Sequence, residues 1–128
     1  MPFAEEDERH LPGRHPIDAY GGGGFRFGEL SHRGSLLATP SGMWAWRCAA
    51  ASEFDEAAFE RVFREAEAID TLLIGTGVDL AALKPGLRQA FRDAGLVVEV
   101  MATGAAARTW NVMIAEERRV AAALLAVP

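Results

Sequence analysis

The stretch from Thr71 to Met101, TLLIGTGVDLAALKPGLRQAFRDAGLVVEVM, decides the fold. Thr71 to Ile74 is a short apolar run ended by Gly75-Thr76-Gly77, and it reads as a buried strand. Pro85 suits the first turn of a helix, where its missing N–H would have no partner anyway. Leu83, Leu87, Ala90, Phe91 and Ala94 fall at i, i+4, i+7, i+8 and i+11, which is one face of an α-helix. Gly95 supplies the C-cap. Leu96 to Met101 is rich in β-branched residues and reads as a second buried strand. Strand, helix and strand within about thirty residues make a βαβ unit. Its two strands are expected to be parallel and joined by a right-handed crossover.

Parallel strands end on one edge of a sheet, so Gly75-Thr76-Gly77 and Thr103-Gly104 are expected side by side. Ligands of open α/β sheets bind at that edge. A helix starting near Gly104 would aim unpaired N–H groups there. Arg108, one turn in, would add a bidentate donor for carboxylate or phosphate. Thr76, Thr103 and Thr109 offer hydroxyls, and Asn111 would orient a ligand or brace a loop. The candidate ligand-binding set is therefore Gly75, Thr76, Gly77, Thr103, Gly104, Arg108, Thr109 and Asn111. A purely structural reading stays open beside it: the glycines allow tight turns, and Arg108 pairs with a carboxylate elsewhere in the fold.

Outward from this centre, residues 1–14 read as a flexible acidic tail, interrupted by Pro2 and Pro12. Residues 15–128 form the single domain. Ile17 to Tyr20 and Phe25 to Phe27 flank Gly21-Gly22-Gly23-Gly24 and predict a β-hairpin. A phosphate loop is disfavoured, because the glycines lead into Phe25-Arg26-Phe27 with no helix and no Gly-Lys-Ser/Thr. Ser35 to Thr39 and Gly42 to Trp46 are two more strands, and Trp44 and Trp46 share a face that packs in the core. Ser52 is expected to cap a helix whose apolar face is Phe59, Val62, Phe63, Ala66 and Ile69, with a Glu60–Arg64 pair on its solvated side. His10, His15 and His32 share no spacing and read as scattered surface residues.

Composition sets limits. The chain has 128 residues, fitting one core. The net charge of −5 argues against nucleic-acid binding, which needs a basic surface to displace counterions. Cys48 is the sole cysteine, so no internal disulfide forms, and it reads as structural. The polar N-terminus has no signal-peptide pattern, and the longest apolar run, Val120 to Val127, is too short to enter a bilayer as a span. No metal, no cofactor and no membrane insertion are expected, and a cytoplasmic location is.

At residues 103–125 the chain resembles a known family. Thr103-Gly104-Ala105-Ala106, Thr109, Asn111 and the Glu116 to Leu124 run carry the likeness. Pro16-Ile17, Tyr20-Gly21, Phe25-Arg26, Gly75-Thr76-Gly77 and Leu87-Arg88 support it. The family includes mitochondrial complex I assembly factor 3 and the adipogenesis-associated domain proteins, with many uncharacterised bacterial and archaeal members. The resemblance implies a three-layer α/β domain with a mixed central sheet and helices packed on it. It also implies that the helix after Thr103 ends near Glu117 and that Val120 to Leu125 is a strand, although alanine propensity alone would extend the helix. The chain departs from the family at Ala107, where relatives often carry Cys, at Trp110, where they carry Tyr or Phe, and at Glu117, where Gly is expected.

No Gly-x-Ser-x-Gly, His-Glu-x-x-His or phosphate-loop motif occurs, so no catalytic residue is assigned. The expected function is a non-catalytic binding or assembly-factor-like module with a protein partner, a homo-oligomer among the options. The alternative is a small-molecule or anion-binding protein, with catalysis left open, that uses the Gly75–Gly77 and Thr103–Gly104 loops and Arg108.

Overall fold

A computed structural model describes residues 9–128. Among the described residues, nine strands and three α-helices form one mixed α/β domain. The strands are β1 (Arg9–Pro12), β2 (Ile17–Gly21), β3 (Gly24–Phe27), β4 (Leu30–Arg33), β5 (Ser35–Thr39), β6 (Gly42–Trp46), β7 (Thr71–Gly75), β8 (Val97–Met101) and β9 (Val120–Leu124). The helices are α1 (Glu60–Arg64), α2 (Pro85–Asp93) and α3 (Thr103–Ala115). Six strands make the central sheet in the order β1-β6-β5-β9-β7-β8, and β2-β3-β4 make a small antiparallel sheet. β7 runs parallel to both β8 and β9, whereas β9 meets β5 antiparallel, so the central sheet is mixed.

Strand alternation sorts the core into two layers. Leu72, Ile74, Ala121 and Ala123 face one cluster, with Trp44, Trp46, Phe59, Leu87 and Phe91. Leu73, Ala122 and Leu124 face the other, with Phe25, Phe27, Met43 and Trp110. Segment 51–68 and α2 cover the first face, while α3 and the small sheet cover the second. All five residues of β9 are buried, as a central strand flanked on both faces requires. The strand implied over Val120 to Leu125 is therefore present, and α3 stops at Ala115.

Four sequence expectations are corrected. The single helix expected from Ser52 is broken into short 3-10 turns at Ala51–Glu53, Ala57–Phe59 and Ala66–Ala68 around α1. Local carboxylates compete for the backbone: Glu53 accepts the Ala49 and Ala50 N–H groups, and Asp55 accepts that of Ala58. Trp46 donates its indole N–H to the Ala58 carbonyl, the acceptor a continuous helix would offer to Val62. The expected Glu60–Arg64 ion pair does form. Secondly, β8 is not buried. It is the edge strand, with Val97 61% exposed, because β9 returns to the sheet between β5 and β7. Thirdly, part of the expected tail lies outside the described residues, but Arg9–Pro12 is β1, paired antiparallel with β6. Lastly, two of the three histidines are not scattered. The rings of His10 and His32 lie 4.6 Å apart, and His32 is buried with its Nε2 2.7 Å from the Ser35 carbonyl.

Candidate functional site

The βαβ geometry brings the two expected loops together. Thr103 donates its N–H to the Gly77 carbonyl at 2.9 Å, and Gly77 donates its N–H to the Thr103 hydroxyl at 2.9 Å. Gly77 has φ +100°, a conformation that favours glycine. Gly104 is required by close approach, since a Cβ there would lie 2.4 Å from the Tyr20 hydroxyl. Gly75 packs against the Thr103 backbone and Leu124, where a Cβ would find Thr103 Cα at 2.9 Å.

A groove of about 320 Å³ opens at this edge. Gly77, Gly104 and Arg108 line it, together with Tyr20, Val78, Ala105 and Pro128. Arg108 is exposed and donates one guanidinium N–H to the Tyr20 hydroxyl at 3.0 Å. No carboxylate pairs with it among the described residues. Beside it Tyr20 is 41% exposed and Val78 68% exposed, and Leu80, two residues beyond Val78 on the same loop, is also 68% exposed.

The remaining candidates serve the fold. Thr103 is fully buried, and its hydroxyl donates to the Leu125 carbonyl at 2.8 Å. The Thr76 hydroxyl donates to the Asp79 carbonyl at 2.7 Å and accepts the Ala81 N–H at 3.1 Å, which ties the loop down. Thr109 donates to the Ala105 carbonyl one turn back. Asn111 accepts the Ile17 N–H at 2.7 Å and donates to the Ile17 carbonyl at 2.8 Å, so it braces β2 as a neighbouring strand would. Thr109 and Asn111 lie outside the groove lining. Tyr20, Val78 and Leu80 were not among the site residues expected from the sequence. Only the Tyr20-Gly21 pair within the family resemblance signalled any of them.

Titratable groups elsewhere do not converge on this groove. Cys48 is buried, and burial, followed by Glu53 and Asp55, pushes its thiol up to about 11, so it stays protonated and unreactive. Among the described residues no three of His, Cys, Asp and Glu gather in a metal-sized cluster, and no helix is long and apolar enough to cross a membrane.

Comparison with known proteins agrees with this architecture. An uncharacterised protein of Rhodobacter capsulatus is 41% identical over 94% of this chain and 92% of its own length. The NADH dehydrogenase [ubiquinone] 1 alpha subcomplex assembly factor 3 of Mus musculus is 30% identical over 88% of this chain, which spans 60% of that protein. A crystal structure described as an outer membrane protein from Bartonella henselae superposes with a TM-score of 0.89 at 48% identity, over 93% of this chain and all of that one. Residues 17–125 match the family described as protein of unknown function (DUF498/DUF598), and the chain belongs to that family.

Proposed function

We propose that the protein is a non-catalytic binding module, and that it engages a protein partner through the groove between Gly77 and Arg108. The spent hydrogen-bonding capacity of the edge carries this reading. Thr76, Thr103 and Asn111 are committed to backbone groups, which leaves an aromatic and aliphatic rim around one exposed guanidinium. Tyr and Arg beside aliphatic side chains are the composition of interface hot spots. Relationship to the mouse assembly factor supports the same reading by analogy. The test is affinity capture from a lysate of the source cells, with wild type against Val78→Glu/Leu80→Glu. A partner retained by the wild type and lost by the double variant is expected. Recovery of no partner, or of the same partner by both, would refute the reading.

A second reading rests on Arg108 itself. The guanidinium and the N–H groups of Gly104 and Ala105 in the first turn of α3 offer donors to a carboxylate or phosphate, the Thr103 N–H being held by Gly77. A thermal-shift screen with phosphates, nucleotides and carboxylates tests it, since a ligand of the native state raises the melting point. Some compound should shift the wild type and not Arg108→Ala. Equal responses would remove the anion from the account. The module is proposed to act in the cytoplasm, and cell fractionation checks this against the envelope location in the Bartonella protein's description.

A further inference from the structure

The sheet edges are guarded unequally. β1, at one end of the central sheet, carries a register shift between Arg9 and Leu11 and ends at Pro12. Bulges and prolines both block further pairing. In the small sheet Asn111 closes the outer edge of β2 at Ile17. β8, at the other end of the central sheet, has no proline and pairs with β7 in unbroken register. Val97 donates its N–H to the Asp70 carbonyl, and Thr76 donates its N–H to the Met101 carbonyl. In a parallel ladder this phase commits residues 97, 99 and 101 to β7. It turns the N–H and C=O groups of Val98 and Val100 outward, four ladder groups with no described strand beyond them.

The side chains around these groups indicate what would cover them. Val98 and Val100 lean on the core beneath α2, while Val97 and Glu99 are exposed. Arg88 and Arg92 of α2 border a cleft of about 300 Å³ over Leu96, Val97 and Val98. Both arginines are exposed, and neither has a carboxylate partner among the described residues; Arg92 donates only to Gln89. We propose that the free edge of β8 is a second binding surface, which accepts an extended acidic segment of a partner protein as a further strand, its backbone pairing with Val98 and Val100 and its carboxylates meeting Arg88 and Arg92. A second copy of this chain fits less well. Two-fold pairing centred on β8 sets Glu99 against its own counterpart and brings the two α2 arginine pairs onto one face, so like charges meet. Strand addition takes affinity from main-chain bonds and specificity from alternate side chains, so an acid at every second position is the matching pattern.

The probe is a capped synthetic peptide, Thr-Glu-Val-Glu-Val-Glu-Thr, compared with its counterpart carrying lysine in place of glutamate. Binding is followed by amide-resolved NMR and hydrogen exchange. The acidic peptide is expected to shift the Val98 and Val100 amides, slow their exchange, and bind more weakly as salt rises. Arg88→Ser/Arg92→Ser should weaken it about tenfold through two lost charge contacts. Val100→Pro removes one outward N–H and leaves the β7 ladder intact, so it should weaken binding roughly threefold to tenfold. Arg108→Ala should leave this binding unchanged, which separates the edge from the groove. Equal binding of the two peptides, no protection at Val98 and Val100, or unchanged affinity in the double arginine variant would each overturn the proposal. If Val100→Pro fails to fold, the arginine variant and the exchange data still decide.

Discussion

Glu117→Gly is expected to stabilise the protein. α3 ends in a two-bond cap: Glu117 donates its N–H to the Ile114 carbonyl at 2.9 Å, and Arg118 donates to Met113 at 3.0 Å. These are the two bonds of a Schellman motif, whose closing residue sits in the left-handed region. Glu117 occupies that position at φ +59°. A Cβ there costs about 1–2 kcal/mol relative to glycine. The greater freedom of glycine in the unfolded chain returns about 0.4–1 kcal/mol of that. Glu117 is exposed and makes no ion pair among the described residues that would be lost. Its charge also sits at the negative end of the helix dipole, and removing it adds about 0.3 kcal/mol. The net gain is about 1 kcal/mol, or roughly 4 °C in Tm for a domain of this size. Glu117→Gln isolates the charge effect and should recover only the small part. Gly95→Ala is the mirror experiment: Gly95 lies at φ +83° with nothing within 4 Å of an added Cβ, so its loss of about 1 kcal/mol is purely conformational. Urea and thermal unfolding of the four proteins measure this. A Glu117→Gly variant no more stable than Glu117→Gln would refute the assignment of strain to that backbone position.

Three further outcomes are expected. Asn111→Ala leaves the Ile17 N–H and carbonyl without their partner, and should cost about 2–3 kcal/mol in urea unfolding with faster amide exchange at Ile17. Thr103→Val keeps the shape but removes a buried hydroxyl that serves both Gly77 and Leu125, and a loss of about 2 kcal/mol by the same assay is expected. His10 has its pKa lowered, by burial first and then by His32. A lowered folded pKa means the unfolded chain takes up the proton more readily. Stability from this site is therefore complete above the ordinary histidine value of about 6.5 and is lost as pH falls from there through the lower folded pKa. The urea midpoint should drop less between about pH 7.5 and pH 5.5 in His10→Gln than in the wild type, and equal drops would refute the assignment.

The fold was legible where interactions are local. β7, α2 and β8 follow from one strand run, one helical stripe and the breaks between them, and the structure places all three. β1 and β4, with sequences RHLP and LSHR, have no apolar alternation and exist because other strands pair with them. The 3.6-residue period after Ser52 identified Phe59 and Val62 as core residues correctly. It did not report that the backbone bonds between them are interrupted, because periodicity records which side faces the core and not whether the ladder is continuous. The exposure of β8 was hidden for a related reason. Its composition matches a central strand, and its edge position depends on where β9, about twenty residues later, enters the sheet.

The candidate site divides along the same line. Spacing put Gly77, Thr103, Gly104 and Arg108 at one edge, and they are there. What remains available on each side chain is a different question, decided by distant chain. The Thr103 hydroxyl is consumed by Leu125, 22 residues on, and the Asn111 amide by Ile17, 94 residues back. A hydroxyl or amide has few bonds to give, and one backbone neighbour can exhaust it. A guanidinium has five N–H donors, and the bond from Arg108 to Tyr20 engages one of them. Arg108 is therefore the polar group of this edge whose chemistry survives folding. Its setting beside Tyr20, Val78 and Ala105 gives that guanidinium an aromatic and aliphatic surround and no second polar side chain free to share a ligand.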